Sequence, residues 1–71
     1  MTLAEWMDRH GISDEQLAAE LGIDRSTVSR VRRATYRPSA SQIALFVKAS
    51  GGKVDARTFF REPYPQPEIA A

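Results

Sequence analysis

The densest group of chemically capable side chains in this sequence lies between positions 25 and 37. Half of the ten basic residues fall in this stretch, and it contains no acidic residue. The five basic residues of the stretch are Arg25, Arg30, Arg32, Arg33 and Arg37. A guanidinium group carries a permanent positive charge and a planar fork of N–H donors, which fits phosphate oxygens and the paired acceptors of a guanine edge. The stretch therefore favours a polyanionic partner such as nucleic acid.

The distribution of charge along the chain is more informative than its total. The net charge is only +1, which by itself says nothing about a partner. Residues 1 to 24 hold one arginine, Arg9, and six acidic residues. These are Glu5, Asp8, Asp14, Glu15, Glu20 and Asp24. On charge alone, the arginine-rich stretch fits an ordinary solvated helix face equally well.

A helical projection of residues 25 to 34 separates these two explanations. At about 100° per residue, the inner side chains span roughly 120° and the polar ones roughly 160°. The inner group is Thr27, Val28, Val31 and Ala34; the polar group is Arg25, Ser26, Ser29, Arg30, Arg32 and Arg33. A merely solvated face usually mixes acids and bases that pair four residues apart, and this face has no acid. The pattern favours a helix buried on one side and bound to DNA on the other.

Capping signals predict four helices that would position this face. Capping boxes, in which side-chain and backbone groups at a helix start satisfy one another, begin three of them. The pairs are Thr2 and Glu5, Ser13 and Gln16, and Ser39 and Gln42. Asp24 is expected to cap the third helix, and the alternative is that it accepts from the amino group of a cytosine. With a further helical turn around residues 55 to 60 and no segment that alternates like a strand, the predicted fold class is all-α, a compact domain of four to five helices.

The second and third helices are separated only by Gly22 and Ile23, which predicts a sharp turn between them. Residues 14 to 33, DEQLAAELGIDRSTVSRVRR, resemble the helix-turn-helix of the lambda repressor/Cro superfamily, the XRE-type regulators. The resemblance covers about residues 2 to 50, and the following Ala49-Ser-Gly-Gly-Lys-Val54 is similar to small Cro-like and YdaS-like regulators. It implies a Cro/lambda-repressor-like fold and a transcriptional regulator that binds an inverted-repeat operator in double-stranded DNA as a homodimer.

Site residues follow from the helix geometry and from the resemblance. The N-terminal end of the third helix enters the major groove most deeply, which predicts base contacts from Arg25, Ser26, Ser29 and Arg30. Phosphate contacts are predicted for Gln16, Thr27, Arg33 and Arg37. One residue departs from the family pattern, because Asp14 stands where members often carry a phosphate-binding glutamine. A carboxylate there would repel a phosphate, so Gln16 and the helix N-terminus are expected to take its place.

The remaining apolar residues suggest a domain boundary and a dimer surface. The helix-turn-helix domain is expected to span residues 1–62, followed by a Pro-rich, extended or disordered tail at residues 63–71. Leu45, Phe59, Phe60 and Tyr64 are the dimer candidates. His10 is expected to be partly buried, where it would satisfy the end of the first helix.

Composition argues against several other classes of protein. There is no cysteine and only one histidine, so no catalytic residue, metal ligand or cofactor is predicted, and an enzyme is the weakest option. No segment suggests a membrane span or a secretion signal, and the chain is expected in the cytoplasm, associated with the nucleoid when bound to DNA. The alternative from another class is a protein-interaction module, an antitoxin or anti-activator that uses the same fold to bind a toxin or another regulator.

Overall fold

The computed structural model describes residues 1–65, and this part of the chain folds into helices with no strand. The helices are α1 (Leu3–His10), α2 (Asp14–Leu21), α3 (Arg25–Arg32) and α4 (Ala40–Ala49), followed by a short 3-10 helix (Ala56–Phe60). The predicted all-α fold of four to five helices is confirmed. Among these helices, none has the length and apolar character that crossing a membrane requires.

All three predicted capping boxes are present. At the start of α1, the Glu5 backbone N–H donates to the Thr2 hydroxyl at 3.2 Å, and the Thr2 N–H donates to the Glu5 carboxylate at 3.0 Å. The same reciprocal bonds begin α2 and α4. Asp24 departs from the prediction, because its carboxylate accepts a hydrogen bond from the Ser26 hydroxyl and none from a backbone N–H at the start of α3. Asp24 therefore holds the cap position without making the cap bond.

The core is a single cluster to which every helix contributes. Its fully buried side chains are Leu3, Met7, Leu17, Val28, Val31, Phe46, Val54 and Phe59. The 3-10 helix lies against α4, and the Phe59 ring packs on Phe46 with 6.0 Å between centroids. Truncating a buried phenylalanine typically costs about 3–5 kcal/mol, so the 3-10 helix is an integral part of this small domain.

The chain beyond the 3-10 helix also packs on the core. Tyr64 is only 3% exposed, and its ring meets Phe59 edge-on with 5.2 Å between centroids. The packed region thus extends beyond residue 62, where the domain was expected to end. Residues 66–71 of the predicted extended or disordered tail lie outside the described residues.

Two of the four predicted dimer residues are core residues instead. Phe59 and Tyr64 are buried because the C-terminal segment folds back and fills space beside α3 and α4. Phe60 is 54% exposed and Leu45 is half-buried, so these two remain available at the surface. His10 was expected to be partly buried, but it is exposed and its ring lies beside Trp6, 5.6 Å between centroids.

Candidate nucleic-acid interface

A left-handed glycine sets the angle between α2 and α3. Gly22 has φ 69°, a conformation that most side chains disfavour, and its backbone N–H donates to the Ala18 carbonyl. The Ile23 N–H donates to the same carbonyl at 3.1 Å, which closes the end of α2. Ala18 is 4% exposed, and its small side chain allows the two helices to pack closely at the turn. The predicted helix-turn-helix geometry is therefore present.

Two valines hold α3 against the core and leave its opposite face in solvent. Val28 and Val31 are fully buried, whereas Arg25, Arg30 and Arg33 are exposed. Ser26, Thr27 and Ser29 are half-buried. No acidic residue occurs between Asp24 and Asp55, so neighbouring carboxylates within α3 do not offset these arginines. The arrangement presents three exposed cationic forks on a helix that is anchored in the core, with small side chains between them.

The end of α3 is held by a left-handed residue that is not glycine. Ala34 has φ 59°, and its N–H donates to the Val31 carbonyl at 3.1 Å. The Thr35 N–H donates to the Arg30 carbonyl at 3.0 Å, which completes a Schellman-type cap. The exposed Arg33 side chain stays near its own helix, where Nε donates to the Ser29 carbonyl at 3.3 Å. These bonds fix the direction in which the chain leaves the arginine face.

Asp24 and Ser26 form a local pair at the opposite end of the helix. The Ser26 hydroxyl donates to the Asp24 carboxylate, and this bond lowers the pKa of Asp24. The carboxylate is exposed and ionised at neutral pH beside a predicted base-contacting serine. To contact a base, the Ser26 hydroxyl must therefore either accept a hydrogen bond while it still donates to Asp24, or break its bond to Asp24.

The predicted phosphate contacts fall into two environments. Gln16 is exposed on α2, and its Oε1 accepts the Ser13 N–H at 2.9 Å in the capping box, a bond that does not use the amide NH₂. Arg37, in the loop after α3, is half-buried, and its guanidinium carbon lies 5.2 Å from the centroid of the Phe60 ring. This cation–π contact holds Arg37 in place while its charge stays accessible. The structure thus brings the loop and the 3-10 helix together at one point.

An ion pair that sequence reasoning missed joins α2 to α3. Arg32 donates from Nε to one oxygen of Asp14 at 2.6 Å and from a terminal nitrogen to the other at 2.9 Å. The hydrogen bond from Arg32 is the main cause that lowers the pKa of Asp14, and the same bond raises the pKa of Arg32. Asp14 is therefore not the unpaired repulsive carboxylate that the sequence suggested. The only sign of this ion pair in the sequence is an acidic residue at the start of α2 and a basic residue at the end of α3.

Helix α3 follows a left-handed glycine turn, is buried on one side and carries arginines on the other. This arrangement is typical of a DNA-binding helix-turn-helix domain. Residues 3–54 match the family model described as Helix-turn-helix, which covers most of the chain. The chain belongs to this family, the XRE and lambda-repressor-like DNA-binding regulators, and the resemblance seen in the sequence is confirmed. No curated protein and no solved structure matches the chain. The matched region stops before the 3-10 helix and Tyr64, which are features of this chain beyond the shared motif.

Proposed function

We propose that this protein is a sequence-specific repressor of the Cro type, which inserts α3 into the major groove and blocks a promoter by occupying its operator. The observation that carries the proposal is the exposed face of α3, where arginines and serines project from a helix anchored by Val28 and Val31. Phosphate attraction supplies affinity, whereas side chains at base edges supply specificity. This face has residues suited to both.

The N-terminal half of α3 is the proposed base-contacting part. Arg25 and Arg30 are exposed and can each donate two hydrogen bonds to guanine O6 and N7. Ser26 and Ser29 lie between them, and their small side chains allow the backbone to approach the base edges. Asp24, ionised at the helix start, disfavours a phosphate at that point and suits the amino group of a cytosine.

The proposed phosphate contacts are other residues of α2, α3 and the loop after α3. Arg33 lies at the end of α3 and Arg37 in the following loop, held by Phe60. The Gln16 amide NH₂ and the Thr27 hydroxyl complete the set. These contacts position the helix in the groove without distinguishing one sequence from another.

The repressor is proposed to act as a homodimer on an inverted repeat. Two symmetry-related copies of α3 would then lie about 34 Å apart, one turn of DNA, and contact successive major grooves. Phe60 and Leu45 are the proposed dimer residues, because Phe59 and Tyr64 are buried within the protomer. The protein is expected to act in the cytoplasm, at the chromosome.

The test is selection of binding sites from a library of random duplexes, followed by fluorescence anisotropy with the enriched site and a scrambled duplex. We expect enrichment of an inverted repeat and tighter binding to it than to the scrambled duplex by at least about 10³-fold. Affinity should fall steeply with salt. An Arg25→Ala/Arg30→Ala double variant should lose the discrimination. Arg9→Ala, which removes an exposed arginine from α1, is the matched control and should retain it.

Failure to enrich any sequence, with equally weak binding to all duplexes, would contradict the proposed function. Salt-insensitive capture of a protein by the same chain, unaffected by loss of Arg25 and Arg30, would favour the protein-interaction module instead.

A further inference from the structure

Arg32 differs from the other arginines of α3 because its guanidinium is already engaged. It donates to both oxygens of Asp14, at 2.6 and 2.9 Å, and so joins the last residue of α3 to the first residue of α2. The side chains are 39% and 20% exposed for Arg32 and Asp14, so the pair is partly withdrawn from water. Its neighbour Arg33 is exposed and makes only a 3.3 Å bond to a carbonyl of its own helix. Adjacent arginines therefore have different roles in the free protein.

Asp14 belongs electrostatically to the same face as the proposed DNA contacts. Its pKa is lowered first by the hydrogen bond from Arg32, and also by the charges of Arg33 and Arg25. A carboxylate in this position, if it were unpaired, would repel an approaching phosphate and would attract the guanidinium groups intended for DNA. This chain carries the acid together with an arginine that holds it.

We propose that Arg32 is a positioning residue for DNA binding, which acts by neutralising Asp14 at the edge of the arginine face and not by contacting DNA. The proposal rests on the proposed function of that face. Two N–H groups of Arg32 point at the carboxylate, and the fork geometry of this bond keeps the guanidinium with Asp14. Arg25 and Arg33 then remain available to bases and phosphates.

The test compares three variants on the selected duplex: Arg32→Gln, Asp14→Asn, and the double variant. Arg32→Gln leaves the carboxylate unpaired, and we expect affinity to fall roughly 3- to 10-fold for all sequences alike. The double variant has neither charge, so its affinity should return to within about twofold of the unmodified protein. Asp14→Asn alone should bind at least as tightly as the unmodified protein, because it adds net positive charge to the face.

Arg57→Gln is the matched control. Arg57 forms the other ion pair of the described residues, with Asp55 at 2.8 Å, at the start of the 3-10 helix. The variant removes the same charge and breaks the same kind of pair, so unchanged affinity shows that the effect depends on position. Arg32→Lys restores a cation beside Asp14 and should recover most of the affinity lost in Arg32→Gln. All binding is measured at a temperature at which circular dichroism shows each variant folded.

A double variant that binds as weakly as Arg32→Gln would overturn the proposal, because it would mean that Arg32 itself contacts DNA. The salt dependence gives a second readout, since loss of one phosphate contact reduces the slope of log K against log salt by about 0.9. We expect the double variant to keep the slope of the unmodified protein. If the unmodified protein binds all duplexes equally, the proposed function is overturned instead. That outcome differs from a double variant that fails to recover affinity on a duplex that the unmodified protein selects.

Discussion

The Tyr64 hydroxyl donates a 2.6 Å hydrogen bond to the carbonyl oxygen of Val31, in the last turn of α3. The bond is buried and joins residues 33 positions apart in the sequence. Because Val31 is also a fully buried anchor of α3, one residue links this helix both to the core and to the C-terminal segment. The stability of the helix and the packing of that segment are therefore coupled.

Replacing Tyr64 with phenylalanine should lower the free energy of unfolding by about 1 kcal/mol, the net value of one buried hydrogen bond. The ring still packs on Phe59, and the Val31 carbonyl retains the Ala34 N–H at 3.1 Å, which limits the loss. Urea unfolding followed by circular dichroism measures the difference. Tyr36→Phe is the control, because that hydroxyl is exposed and its 3.3 Å bond to Gln42 should contribute within about 0.5 kcal/mol. Equal losses in the two variants would argue against a special role for the buried bond.

The stability of the protein should decline in strong base through the ionisation of Tyr64. Burial raises the pKa of Tyr64 to about 12, from an ordinary value of 10.0. The folded state thus holds this proton more tightly than the unfolded chain, so the contribution is complete below pH 10 and is lost as the pH rises through about 12. Unfolding free energies measured from pH 8 to 12 should show a fall that Tyr64→Phe lacks. Parallel curves for the two proteins would exclude this residue as the cause.

Gly22→Ala should destabilise the domain by roughly 1–2 kcal/mol through backbone conformation alone. A Cβ added at Gly22 would meet no atom within 4 Å, so steric overlap contributes nothing, and the cost arises from φ 69°. Thermal and urea unfolding measure it. Gly22→Asn should cost less, because asparagine tolerates the left-handed region better than alanine. If the alanine and asparagine variants were equally stable, the left-handed conformation would not be what the turn requires of this residue.

Single arginine variants should separate base contacts from phosphate contacts. Arg25→Ala should cost about 1–3 kcal/mol on the selected site and relax the preference at one base pair, the usual effect of losing a bidentate contact. Arg33→Ala should weaken binding to selected and scrambled duplexes by similar factors and reduce the salt slope by about one. Anisotropy titrations on a set of single-base substitutions of the operator measure both. Unchanged discrimination in the Arg25 variant would remove that residue from the base-contacting set.

The parts of the fold that the sequence predicted are those set by local interactions. A capping box involves residues three positions apart, and the turn at Gly22 depends on one residue's backbone freedom, so both are visible without knowledge of the tertiary structure. The buried stripe of α3 was equally accessible, because the spacing of Val28 and Val31 defines a helix face. These features sufficed to indicate the helix-turn-helix and its arginine face.

The features that were missed depend on contacts between distant segments. Asp14 and Arg32 lie 18 positions apart, and helical periodicity on either helix says nothing about the other. Tyr64 follows a proline and precedes another, which suggested an extended tail, yet its burial depends on the space that α3 and Phe59 leave open. The prediction for Asp24 failed at short range, because its carboxylate accepts the Ser26 hydroxyl and makes no cap bond. Composition supplies none of this information.

The anchoring of Tyr64 beneath α3 also bears on how long such a protein would persist in a cell. A peptidase that trims the chain past Tyr64 would remove a core aromatic ring and the only side-chain hydrogen bond to the Val31 carbonyl in the part of the chain that the structure describes. The damage would reach α3 although none of the proposed DNA-contacting residues had been cut. Trimming at this end would thus favour unfolding of the domain, and unfolded chains are the ones that proteases degrade, so the lifetime of the protein would depend on a residue 33 positions from Val31.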